Sequence, residues 1–196
     1  MSQVVDSITN EHVLEIRYKP NPKLLDHRGI WAEEMSRHME LSEWRIVENR
    51  IDIFSKTQDV HAFVGFRNAG LVVCDTPTAN FFPDKAVKLL RYLFSLEGFG
   101  DPLAVERLGV RSRFCTAFDG TFESLCERYA TRFLTLTEDA RRALGDKCRL
   151  VDIGGPLNFA DSLANFNTMS GPMVRAQLAS YFKKDDGFPE VGLYVD

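Results

Sequence analysis

The sequence predicts an α+β fold: two tandem β-α-β-β-β-β-(α) halves sharing one curved, mainly antiparallel sheet, with helices on one side. Three observations carry this. Short alternating apolar and polar runs recur with strand periodicity. Amphipathic helical stretches stand between them. Segments of the first half reappear in the same order in the second, with insertions between them. Leu108-Gly109-Val110-Arg111 follows Leu14-Glu15-Ile16-Arg17 by 94 positions. Cys148–Asp152 matches Trp44–Glu48, and Gly192–Asp196 echoes Gly70–Asp75. These repeats set the halves at 1–100 and 101–196. The alternative is one α+β domain whose strands look alike because binary patterning restricts their composition.

The first strand is Val13–Tyr18, ended by Pro20 and Pro22. A helix over 27–40 follows from Trp31, Met35, His38 and Met39 at spacings of three and four. Strands come next at 44–48, 50–56 and 60–66. Asn68-Ala69-Gly70 is expected to turn the chain with Gly70 at positive φ. Leu71–Cys74 returns as a strand. A helix over 83–97 carries Ala86, Leu89, Leu90, Leu93 and Phe94 on one face and closes at Gly98 and Gly100. Phe81-Phe82, ahead of Pro83, can staple it to the sheet.

In the second half, Asp119-Gly120-Thr121 leads into a helix with Phe122, Leu125, Cys126, Tyr129, Ala130 and Phe133 in line. A short helix over 137–145 begins at Thr137. Strands over 158–169 and 173–182 are expected to flank Ser170-Gly171-Pro172, and Gly154-Gly155-Pro156 to form a turn. The second half stops at Asp196, where the first half continues into its closing helix. The chain therefore reads as one helix short of two repeats, which a truncated chain or a covering partner would explain.

This element order resembles the TATA-binding-protein-like saddle and, more loosely, the helix-grip fold. The resemblance covers most of the chain but carries no shared functional motif, and fold alone does not license function. Val13–Tyr18, the Leu108–Arg111 strand, Ser170-Gly171-Pro172 and Gly192–Asp196 also resemble landmarks of an uncharacterised bacterial protein family known by a serial label. That resemblance implies a helical C-terminal continuation. It supplies no activity and no catalytic residues.

Composition narrows the function classes. The 196 residues include 24 Lys plus Arg and 28 Asp plus Glu, a net charge of −4. A division at residue 98 puts 12 basic and 14 acidic residues on each side. No basic block is present, which argues against nucleic acid as the main partner. No apolar run approaches the roughly 20 residues of a membrane span, and the first residues lack the pattern of a signal peptide. Cys74, Cys115, Cys126 and Cys148 form no C-x-x-C pair and no zinc-ligand spacing. They read as reduced, packed thiols of a cytoplasmic protein.

One constellation could bind. Arg17 and Lys19 share a strand face with Glu15, and Arg107, Arg111 and Arg113 share a face of the later strand. If the halves join through these strands, the five basic residues converge, and guanidinium forks suit carboxylates or phosphates. The competing reading is cross-strand pairing with Glu15, Glu48, Glu106, Asp52 or Asp152. Asp26-His27 and Asp59-x-His61 set a carboxylate near an imidazole, but no nucleophile, phosphate-loop or metallohydrolase motif accompanies them. The 15 phenylalanines read as core packing rather than a ligand cavity.

The reading is a non-enzymatic bacterial protein-binding or assembly subunit, without metal or cofactor, acting through its sheet face or uncovered C-terminal edge. Its partner is another protein chain or a second copy. The alternative is a sensor of a small anionic ligand. A hydrolase or transferase using His61 or His27 stands third.

Overall fold

A computed structural model describes residues 8–55, 57, 59–96, 105–134, 143–145, 150–184 and 187–196. The fold is α+β, with four helices among these residues. Nine strands form one antiparallel sheet in the order β2-β3-β4-β5-β1-β6-β9-β8-β7. They are β1 (Ile8–Tyr18), β2 (Glu43–Val47), β3 (Arg50–Ser55), β4 (Val60–Gly65), β5 (Asn68–Cys74), β6 (Val105–Ala117), β7 (Gly155–Ala160), β8 (Asn165–Val174) and β9 (Val191–Val195). The helices are α1 (Lys23–Met39), α2 (Phe81–Ser95), α3 (Phe122–Phe133) and α4 (Arg175–Tyr181). None of the described helices is long and apolar enough to cross a membrane. Two compact units divide the chain: an N-terminal unit of residues 10–112, and a C-terminal unit of 113–196 with Ile8 and Thr9.

In the N-terminal unit β2 to β5 form a meander, and β1 pairs with β5. Alternation divides their side chains between two faces. Leu14, Ile16, Ile51, Ile53, Ala62, Val64, Leu71 and Val73 turn to one face and are buried there. Against them α1 lays Trp31, Met35 and Met39, spaced by four, and α2 lays Phe82, Ala86, Leu89 and Leu93. Each fully buried side chain of this size stabilises the fold by about 2 kcal/mol. The last turn of α1 closes on Glu40 in the left-handed region, φ 58°, where Leu41 N donates to Ser36 O at 3.0 Å. Lys88 Nζ, 2.9 Å from a Glu40 carboxylate oxygen, ties that end to α2.

The β4–β5 connection differs from the expectation. The turn is Phe66-Arg67, and Asn68-Ala69-Gly70 belongs to β5. Gly70 is an extended strand residue, not a left-handed one. A Cβ there would lie 2.5 Å from Leu14 O and 2.7 Å from the Phe63 ring. Glycine is required because β1 and the Phe63 ring close in on the backbone.

Tyr18, the last residue of β1, is buried, and its hydroxyl donates to Gly65 O at 2.6 Å. Burial raises its phenol pKa. Tyr18→Phe is expected to cost about 1–2 kcal/mol, because the Gly65 carbonyl loses its donor in a dry site. The urea midpoint measures this, with the slope unchanged.

In the C-terminal unit the part of β6 from Phe114 to Ala117 pairs with β9, β9 with β8, and β8 with β7. Cys115 and Tyr194 turn to one face and pack with Leu178 of α4, Phe182 and Phe188. On the other face α3 buries Leu125, Cys126, Tyr129 and Ala130, and Tyr129 Oη lies 2.8 Å from Ser170 Oγ. Thr121 caps α3 by accepting from Ser124 N at 3.2 Å, so the expected helix start is found. The two helices of this unit thus lie on opposite faces of its strands.

Four expectations for this half change. Residues 175–181 are helical rather than extended, since Ala176, Gln177, Leu178 and Ala179 favour helix. Leu178 and Phe182, four apart, then reach the same core. Ser170-Gly171-Pro172 is not a turn but part of β8, and Gly155-Pro156 opens β7. The turn is Asp161–Ala164, where Asp161 Oδ1 accepts from Leu163 N at 2.7 Å and Ala164 N at 2.8 Å. Gly171 serves close approach, because a Cβ would meet Ile153 O at 2.8 Å. Residues 150–152 are not in a strand. Cys148, Gly98, Gly100 and the start of the expected 137–145 helix lie outside the described residues.

Candidate functional site

The five basic residues singled out from the sequence separate as follows. Arg17, exposed on β1, has its Nε 2.8 Å from Glu15 Oε1. This hydrogen bond raises the guanidinium pKa. Lys19 lies just beyond the end of β1 and is exposed. His12 Nδ1 sits 2.9 Å from Ser112 Oγ, so even-numbered residues of β1 and of β6 up to Ser112 share a face. Arg17, Arg107 and Arg111 therefore occupy the opposite face, away from α1 and α2. Arg107 and Arg111 are exposed; Arg113 is half-buried and belongs to the C-terminal unit.

The strongest polar cluster lies on that same open face of the N-terminal unit, further along the meander. Asp52 in β3 is buried, although it stands between Ile51 and Ile53 on the side away from the helices. The register places Arg45 of β2 and Phe63 of β4 directly opposite it. Arg45 Nε donates to Asp52 Oδ2 at 3.0 Å and Arg50 Nη2 donates to the same oxygen at 3.2 Å. Arg50 Nε is 2.8 Å from Oδ1, and His61 Nε2 is 3.1 Å from Oδ1. Burial alone would raise the Asp52 pKa, but the hydrogen bonds from Arg45, His61 and Arg50 together outweigh it and hold the carboxyl below its ordinary value. Arg45 Cζ lies 5.8 Å from the Phe54 ring centroid and Arg50 Cζ 5.3 Å from that of Phe63.

The sequence placed Asp52 among partners for the Arg17 cluster, and Asp59 beside His61. Asp52 instead holds Arg45, Arg50 and His61. Asp59 occupies a left-handed turn position, φ 47°. The signal was present in the register: the two-residue turn Glu48-Asn49 sets Arg45 opposite Asp52. His27 stacks on Trp31 at 5.7 Å, and His12 stacks on Phe82 at 5.0 Å with its pKa lowered by burial. Burial pushes the Cys115 thiol up to about 11 and also raises Cys126, so neither is poised as a nucleophile. Among the described residues no three His, Cys, Asp or Glu side chains gather as metal ligands would.

A second surface lies in the C-terminal unit. The β7–β8 register places Leu157 opposite Thr168 and Phe159 opposite Phe166, all on the α3 face. Leu157, Phe159 and Phe166 are each more than half exposed. Among the described residues the end strand β7 hydrogen-bonds only to β8. Comparison with protein families, with curated proteins and with solved structures returns no match.

Proposed function

We propose that the protein is a non-enzymatic binding or assembly subunit whose contact surface is the β7–β8 hairpin, and that its occupant is a second copy of this chain. The supporting observation is an edge strand without charge. Gly155–Ala160 contains no charged side chain, yet β7 ends the sheet and carries exposed Leu157 and Phe159. Solvated edge strands ordinarily carry charge, proline or a bulge against pairing, and of these β7 has only Pro156 near its start. The opposite edge, β2, does carry Glu43 and Arg45. Two antiparallel β7 strands from two copies extend both sheets and bring the Leu157 and Phe159 side chains of the two copies together on one face.

Sedimentation of the purified chain tests this. The expected result is a dimer at micromolar concentration that Phe159→Lys converts to a folded monomer. A wild-type monomer at about 100 μM, a concentration well above a micromolar dissociation constant, would overturn self-association. The second reading, a small anion bound by Arg17, Lys19, Arg107, Arg111 and Arg113, has the shared face of Arg17, Arg107 and Arg111 in its favour. The Glu15 carboxylate already occupies Arg17 Nε.

A further inference from the structure

We propose that the open face of the N-terminal unit carries an oxyanion site formed by Arg45, Arg50 and His61 above Asp52, with small phosphate monoesters as its ligand class. The inference is independent of the assembly surface, which lies in the other unit.

Charge is the first argument. Two arginines and His61 converge on the single buried carboxylate of Asp52; counted with Glu43, which shares the open face two residues from Arg45, the cluster gains a net positive charge when His61 is protonated. An ion pair serving stability alone needs only one cation for Asp52.

Preorganisation is the second. Each guanidinium is fixed on two sides, by the Asp52 carboxylate and by an aromatic ring, Phe54 under Arg45 and Phe63 under Arg50. Strand backbone sets their spacing, since Arg45 and Asp52 are register partners and Arg50 is two residues from Asp52. A ligand meeting such donors loses little side-chain freedom in ordering them.

Unused donors are the third. Arg45 bonds through Nε and Arg50 through Nη2, with Arg50 Nε in ion-pair contact with Asp52 Oδ1 at 2.8 Å. Arg45 Nη1 and Nη2 and Arg50 Nη1 have no hydrogen-bond partner among the described residues. The Arg45 side chain is 61% exposed and that of Arg50 39%, while Asp52 is covered completely. The acidic group therefore lies beneath the arginines, and the N–H groups lie at the surface. Three such donors suit an anion with three terminal oxygens, as a phosphate monoester presents.

The test is titration of the isotopically labelled full chain with inorganic phosphate at low salt, followed by NMR at the Arg45 and Arg50 side-chain N–H groups and the His61 ring. Succinate, titrated in parallel, is the carboxylate arm. Saturable phosphate shifts confined to Arg45, Arg50, His61 and their neighbours are expected. Arg45→Ala and Arg50→Ala should each weaken binding at least about tenfold, and Arg45→Lys several-fold, because lysine keeps the charge and loses the fork. Arg17→Ala should change nothing. Arg45 is largely exposed, so its variants retain the fold, which the amide spectrum verifies. Non-saturating shifts, or an equal loss in Arg17→Ala, would overturn the site. Succinate binding as tight as phosphate would overturn the phosphate assignment.

Discussion

Gly70→Val should lower stability by about 3 kcal/mol or more, because it forces atoms into a closed space between strands. The added Cβ alone would stand 2.5 Å from Leu14 O, a backbone atom of the paired strand that cannot rotate away. The Phe63 ring at 2.7 Å can swing, but only by leaving Arg50, which stacks on it. Gly70→Ala is the gentler probe and should follow the same direction. Equilibrium urea unfolding measures both. A loss below about 0.5 kcal/mol, the size typical of neutral surface changes, would show that β1 and β5 are not this close.

Asp52→Ala should cost about 2–3 kcal/mol, since it strips a shared acceptor from three basic side chains. The figure sits below that for a fully buried pair because Arg45, Arg50 and His61 are partly exposed and regain water. The same carboxylate produces a pH dependence of definite sign. Its folded pKa is depressed, so the stabilisation is fully present above the unfolded value of about 4. It is lost as pH falls through the lower folded value. Wild-type stability should therefore fall more steeply below about pH 4 than that of Asp52→Asn. Parallel curves for the two proteins from pH 5 to the acid limit would exclude this role for Asp52.

Much of the N-terminal unit was legible because its signals are local. Alternation marked β1, β3 and β4, and the spacing of Trp31, Met35 and Met39 marked α1. Gly70 was misread for the opposite reason. Its demand comes from Leu14, far away in sequence, and nothing near Gly70 reveals that β1 lies against it. The helix α4 was hidden by length: seven residues give too few turns for a helical period to stand out from alternation. The Asp52 cluster was missed because its members lie on three strands. Ile51-Asp52-Ile53 looks like a half-buried strand with a solvated acid. Only the β2–β3 and β3–β4 registers reveal that basic side chains cover that acid.

The position of β1 also bears on how the sheet comes together. Strands β2 to β5 are joined by turns of a few residues, so each pairing closes a short loop. The β1 register instead joins Arg17 to Asn68 and Glu11 to Cys74, 51 and 63 residues apart. Such non-local pairing raises contact order and places β1 late in assembly, once the meander offers β5 as a template. Until then β5 is itself an open edge, with Leu71 and Val73 uncovered on it. β1 is thus synthesised well before β5, the strand it pairs with, and finds its place only after the meander has formed.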